Sequence, residues 1–510
     1  MRRSLAIALL CLAAQAAAAK PPAEPKPDPR AAAAPAGRAS YDWTQVTDRI
    51  ARGDWQTAAT EIEAVLADPA RSGDHPLAWG MLGEALTAAN IPYAGLLAYL
   101  EGVKAAPLAN LAFYEDILRL GTQLHEERLV GQVLGADFGV PMSPEVRAGV
   151  AIMAARYHVS QESWGVALGL LPMVPADGPY AVDALVLRGV ALAQQARYAD
   201  ALEPLLQARE KARDRDDHFR NVLDLDIART YYAAGNFGRA MEFYGHVARG
   251  DSAWPEALFE RAWAHFRVED MTGTLAVLLT HHSPFFNDWY FPEAELLRAQ
   301  SLFLMCKFPD TKTTIDFFET RYKPTLDGLR QGLGQLDAKG AFTDAKAMVE
   351  GNTTKLPADV LRRFTWDGRL ADAVEAIGAA DADLVKLDRL ASSPYSARPK
   401  ALLQARRDAR VAEEGGRVLG IARDAEADLA DMLTGIELTR VDILTYEARL
   451  YEQAAALGGL PEEEDMAALR KEQTRKGKRM WPFEGEYWAD ELGWYRVTAR
   501  PDCPPDLRGQ

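Results

Sequence analysis

The stretch Gly189-Val190-Ala191-Leu192-Ala193-Gln194-Gln195-Ala196-Arg197-Tyr198-Ala199-Asp200-Ala201-Leu202-Glu203-Pro204-Leu205-Leu206-Gln207-Ala208 reads as the end of one helix and the start of the next. Gly189 and Leu192 mark the first helix, and Tyr198, Ala201, Leu205 and Ala208 return an apolar face at three- and four-residue intervals on the second. Small residues at Gly189 and Ala201 let the paired helices approach closely. Ala201 has counterparts at Ala58, Gly95, Gly131, Ala167, Ala240, Leu275 and Thr311, roughly 34 to 39 residues apart. That interval is the period of a two-helix repeat. The expected fold is all-α: a solenoid of helical hairpins over residues 41–324, with breaks such as Asp68-Pro69, Ala106-Pro107 and Gly178-Pro179 between them. Such a stack presents a docking groove rather than a reaction centre.

Hydrophobic residues make up 48% of the 510-residue chain and charged residues 26%, so most of it has enough apolar surface to fold. The formal net charge of −15 argues against nucleic acid as a partner, because phosphate contacts need clustered Lys and Arg.

Residues 1–19 open with Arg2-Arg3, run through an apolar centre from Leu5 to Ala14, and end in small residues offering Ala17-Ala18-Ala19. This is the pattern of a cleaved secretory signal, and a periplasmic location is expected. Leu10 precedes Cys11 where lipoprotein signals carry a small residue, so a soluble mature chain is favoured over a lipoprotein. Residues 20–40, with Pro21, Pro22, Pro25, Pro27, Pro29 and Pro35 among alanines, read as a disordered tether. Beyond residue 19 no apolar run is long enough to span a bilayer. Cys306 and Cys503 remain after the signal; two cysteines make no framework, and whether they pair stays open.

After Pro324 the period is lost, although 326–336, 356–364 and 379–390 keep helical spacing. From Val418 a seven-residue rhythm sets Val418, Ala425, Met432 and Tyr446 beside Ala422, Leu429, Ile436, Ile443, Leu450 and Leu457. Between Gly415-Gly416 and Gly458-Gly459 this reads as one helix of about 40 residues within a helical region 325–460. Its seam is expected to pack within the chain, and self-association is the other use. The tail, 461–510, joins a basic cluster (Arg470, Lys471, Arg475, Lys476, Lys478 and Arg479) to the aromatics Trp481, Phe483, Tyr487, Trp488, Trp494 and Tyr495. They either pack back on helices or anchor a partner, in which case Trp481, Phe483, Tyr487, Trp488 and Trp494 are the anchor.

His281-His282 has no further ligand at metal spacing, and His125-Glu126-Glu127-Arg128-Leu129 lacks the second histidine of a zinc-protease helix. No phosphate-binding glycine loop and no serine-hydrolase elbow occurs. No cofactor and no catalytic residue is expected. The alternative is a peptidoglycan-binding or lytic-transglycosylase-like envelope protein, for which Glu484 and Glu486 are the nearest acids, in a tail too short to build a cleft.

Three units resemble the tetratricopeptide repeat: Trp79, Leu82, Gly83, Leu86 and Pro107; then Gly189, Leu192, Tyr198, Ala201, Leu205 and Ala208; then Ala228, Tyr231, Phe237, Ala240 and Tyr244. Arg119, Gly95, Gly131 and Trp263 depart from the pattern and blur the other units. The resemblance implies a groove lined by first-helix residues, here Arg156, Arg229, Tyr232, Glu260, Arg267, Gln300 and Phe303, that holds a peptide or protein partner. Together with the tail and with Phe291-Pro292-Glu293-Ala294-Glu295 and Tyr322-Lys323-Pro324, the outline is similar to envelope tetratricopeptide proteins of myxobacteria, some of which serve adventurous gliding motility. That implies a non-enzymatic periplasmic scaffold.

Overall fold

The computed structural model describes residues 40–135, 138–366, 368–457, 471, 474–476 and 485–503. The signal and tether read at 1–39 lie outside them, as do Arg470, Lys478, Arg479, Trp481, Phe483 and Glu484. Among the described residues the chain forms twenty α-helices and five short 3-10 turns, with no strand. No described helix is long and apolar enough to cross a membrane.

The chain divides into two compact units. In the first, five hairpins follow one another: α1 (Thr44–Ala51) with α2 (Trp55–Ala67), α3 (His75–Ala88) with α4 (Pro92–Ala105), α5 (Tyr114–Gln123) with α6 (Glu127–Leu134), α7 (Pro144–Ser160) with α8 (Trp164–Leu170), and α9 (Ala181–Gln194) with α10 (Tyr198–Lys211). The second contains three more: α11 (Asp217–Ala233) with α12 (Phe237–Tyr244), α13 (Trp254–Arg267) with α14 (Met271–His281), and α15 (Pro292–Leu304) with α16 (Phe308–Leu333).

All eight hairpins close in the same way. One residue in each turn takes the left-handed conformation: Gly53, Asn90, His125, Glu162, Ala196, Gly235, Glu269 and Cys306, with φ between +53° and +83°. The next amide reaches back five residues to a carbonyl in the last turn of the first helix, as in Ile91 N–H to Leu86 at 2.9 Å, Arg197 to Leu192 at 3.0 Å and Lys307 to Leu302 at 3.0 Å. This closure satisfies the orphan carbonyls of the first helix. It tolerates non-glycine residues there, at a cost of about 1–2 kcal/mol each.

Five residues after each such turn sits a buried residue: Ala58, Gly95, Val130, Ala167, Ala201, Ala240, Thr274 and Thr311. Two members of the sequence series therefore move by one position, since Val130 and Thr274, rather than Gly131 and Leu275, hold this place. Gly131 is small for another reason: a Cβ there would lie 2.1 Å from the Met153 carbonyl oxygen of α7. The expected close approaches are present, since a Cβ on Gly83 would lie 2.9 Å from Gly95 O, and one on Gly189 would lie 2.4 Å from Leu205 Cγ.

The rest of the chain supplies α17 (Ala338–Val349), α18 (Ala358–Phe364), α19 (Arg369–Arg389) and α20 (Ala397–Leu457). Pro324 does not end a helix: α16 runs through it, because buried Tyr322, Leu326 and Leu329 continue one apolar face past it. That packing outweighs a proline penalty of about 3 kcal/mol. Gly415-Gly416 likewise starts nothing, and α20 is 61 residues long rather than about 40. Within the first unit a Cβ on Gly415 would fall 1.7 Å from Ala338 O, so this glycine is an approach site for α17 and not a helix stop.

In the first unit, α19 and residues 397–419 of α20 are fastened to the hairpins. Asp383 accepts from Tyr93 N–H at 2.8 Å, Arg398 pairs with Glu63 at 2.9 Å, and Arg406 pairs with buried Glu126 at 2.8 Å. Arg410 donates to His125 O at 3.3 Å. In the second unit, residues 420–457 of α20 lie on α15 and α16. Leu429, Ile436 and Ile443 are fully buried, Lys312 binds Glu447 at 2.7 Å, and Arg440 binds Asp316 at 2.6 Å. At Leu429, Ile436 and Ile443 the heptad row is thus used inside the chain.

Candidate functional site

Of the seven groove residues, Arg156 belongs to the first unit and the other six to the second. Arg156, on α7, spans Glu127 at 3.5 Å and Asp183 at 2.9 Å, and Arg215 shares Asp183 at 3.1 Å. Its guanidinium remains partly accessible.

In the second unit α11 and α13 bring Arg229, Tyr232, Glu260 and Arg267 into one cluster. Arg229 is only 4% exposed; its Nε and Nη2 meet the Glu260 carboxylate at 2.9 and 2.6 Å, and Asp226 lies 3.9 Å away. Two parallel charge-assisted bonds fix the geometry of the pair. Burial raises the Glu260 carboxyl above its usual range against the pull of Arg229, and Tyr244 hydrogen-bonds to the same carboxylate. Burial also lifts Asp226 to about 7, with Arg229 opposing and Glu260 adding to the shift. The Asp226 Oδ2 atom is buried without a hydrogen bond. Tyr232 is buried against Phe237 with ring centroids 5.1 Å apart, and the exposed Arg267 lies over that ring at 4.9 Å. Arg229 and Glu260 thus serve each other, while Arg267 presents charge to solvent.

Gln300 and Phe303 are half-buried on α15. Phe303 contacts Phe308 at 5.8 Å and Tyr446 of α20 edge-on at 5.4 Å, so the long helix covers part of this residue.

A second polar node in this unit was not foreseen. Arg363 at the end of α18 is buried, donates to Glu293 at 2.7 Å and to Tyr290 O at 3.0 Å, lies 3.4 Å from Glu256, and sits 4.5 Å from the Phe291 ring centroid. Glu256 and Glu260 are one turn apart on α13, which binds a buried arginine on each; nothing in local sequence marks Arg363 as their partner. His281 and His282 diverge: His281 Nε2 lies 3.0 Å from Pro255 O, with burial pushing its pKa down to about 4, while His282 Nδ1 lies 3.0 Å from Glu295.

Of the tail aromatics, Tyr487 packs edge-on to Tyr495 at 6.3 Å, whereas Trp488 and Trp494 are 61% and 76% exposed. Leu492 and Cys503 are buried instead, and Val497 and Ala499 rest on Leu275, Leu302 and Met305. The alternation Tyr495-Arg496-Val497-Thr498-Ala499-Arg500 is the signal that could have found this extended packing. Cys306 and Cys503 form a disulfide with Cα atoms 5.1 Å apart. Compared with protein-family models and with curated proteins, the chain matches none.

Proposed function

We propose that the protein is a non-enzymatic scaffold of the cell envelope, its hairpins stacked as a tetratricopeptide-like solenoid that holds peptide or protein partners. The observation that carries this reading is the recurrence of one left-handed turn in eight hairpins, each followed after five residues by a buried position. A repeated closure with a repeated packing position is what an array of equivalent units requires. The Cys306–Cys503 disulfide supports an oxidising compartment and agrees with export to the periplasm. Service in a gliding-motility or similar envelope complex is the narrower form of this proposal, and it rests on the sequence resemblance alone. Of the groove positions Arg267 is exposed, and Arg156, Gln300 and Phe303 are half-buried.

A photo-crosslinking residue placed singly at Arg267 and at Gln300 of the full chain tests the reading in envelope preparations of the source cells. The expected result is the same discrete partner captured from both positions and not from Val166, an exposed residue on α8. No product, or an identical product from Val166, rejects groove binding.

A further inference from the structure

Along the last described stretch, Tyr495, Val497 and Ala499 are half-buried while Trp494, Arg496, Thr498 and Arg500 are exposed. This is the two-residue period of an extended chain lying flat on a surface. The surface is apolar: Met271 and Leu275 of α14, Leu302 of α15, and Met305 beyond it. The segment is pinned at both ends. At one, Gly493 N–H donates to Thr280 Oγ1 at 2.8 Å, and its bare Cα faces the Trp254 indole, which a Cβ would approach to 2.9 Å. At the other, Asp502 N–H donates to Met305 O at 2.8 Å, Lys307 lies 3.2 Å from the Asp502 carboxylate, and Cys503 is joined to Cys306.

We propose that residues 492–503 are a redox-latched strap: the Cys306–Cys503 disulfide holds the segment over the Leu275, Leu302 and Met305 patch, and a dithiol reductant releases it while the helices stay folded. Two features carry this. Between Leu492 and Cys503, the two buried residues of the strap, Tyr495, Val497 and Ala499 are no more than half-buried and the residues alternating with them are exposed, yet every residue must be ordered, so the non-covalent hold is weak for its length. Cys306 occupies the left-handed position of the α15–α16 turn, so the bond fastens the strap to a turn and its loss removes no hydrogen bond within a helix.

The chemistry is ordinary thiol–disulfide exchange. A thiolate of the reductant attacks one sulfur of the pair, and the other leaves as a thiolate that takes a proton from solvent. The reductant's second thiol then closes on its first sulfur, so two electrons pass to the protein, which ends with two free thiols. Opening uncovers the methionine-rich patch. The proposal is independent of what the hairpins bind.

The test is hydrogen–deuterium exchange of the full chain with and without dithiothreitol, alongside Cys503→Ser without reductant, with far-UV circular dichroism as the fold control. Exchange at the amides of Gly493 and Asp502 is expected to rise at least tenfold in the reduced protein and in the variant, with the helical signal unchanged. Unchanged exchange in both would mean that packing alone holds the strap. Loss of helical signal together with faster exchange would make the disulfide a staple of the unit and not a latch. Either outcome overturns the proposal.

Discussion

Arg229 and Glu260, thirty-one residues apart in the chain, close on each other as a buried two-bonded ion pair between α11 and α13. Each is the other's main compensation for leaving water. Removing one strands the other, at a cost of about 3–5 kcal/mol, whereas replacing both with apolar residues of similar size is nearly neutral.

Arg229→Ala is therefore expected to destabilise the second unit by about 3–5 kcal/mol. Arg229→Met combined with Glu260→Leu should recover most of that loss. Urea denaturation of the wild type, Arg229→Ala and the double variant reads the outcome, and equal losses in the single and double variants would show that the pair is not closed in solution.

Asp226 gives the same unit a pH dependence. Its carboxyl is raised from 3.8 to about 7 in the folded chain, chiefly by burial. The folded state therefore prefers the protonated acid. Its contribution is fully present below pH 4 and is lost as the pH rises through about 7. Asp226→Asn should flatten the fall in stability between pH 4 and 8 and stabilise the chain at pH 8 by about 1–4 kcal/mol. Denaturation midpoints across that range for both proteins check the sign.

The turn at Ala196 has φ +59° with an exposed side chain, so its Cβ brings strain and no packing. Ala196→Gly is expected to raise stability by about 0.5–1 kcal/mol, the relief of strain exceeding the extra freedom of the unfolded chain. Thermal melting shows it as a higher midpoint, and a lower one would mean that the turn is not left-handed.

Adjacent glycines in α20 should respond with opposite signs. A Cβ at Gly416 meets nothing within 4 Å, so Gly416→Ala gains helix propensity worth about 1 kcal/mol. At Gly415 the same substitution collides with Ala338 O and should cost about 1–3 kcal/mol as α17 is pushed away. Chemical denaturation of the two single variants distinguishes them.

The all-helical class and the hairpin spacing were legible in the chain because both follow from local rules. The apolar period selects helices, and a small buried residue must recur wherever two of them cross closely, as at Gly83, Gly189 and Ala201. Gly131 and Leu275 fall one residue off the position that follows the turn, because being small, as at Gly131, or apolar, as at Leu275, does not say which neighbour a residue packs against. The groove residues were named by place in the helix; their accessibility was not legible, because Arg229 and Glu260 look like surface charges until their helices are side by side. The tail aromatics were equally ambiguous, and only the docked segment separates exposed Trp494 from half-buried Tyr495.

From its sequence alone this protein is determined as a series of helix pairs with a long heptad-patterned helix, since those features need only neighbours in the chain. Tertiary structure alone decided that α16 and α20 run unbroken past Pro324 and Gly415, that Arg229 faces Glu260, and that Cys306 meets Cys503 across a separation of 197 residues. Each of those depends on groups distant in sequence meeting within a few ångströms, where excluded volume and lost hydration become the dominant energies.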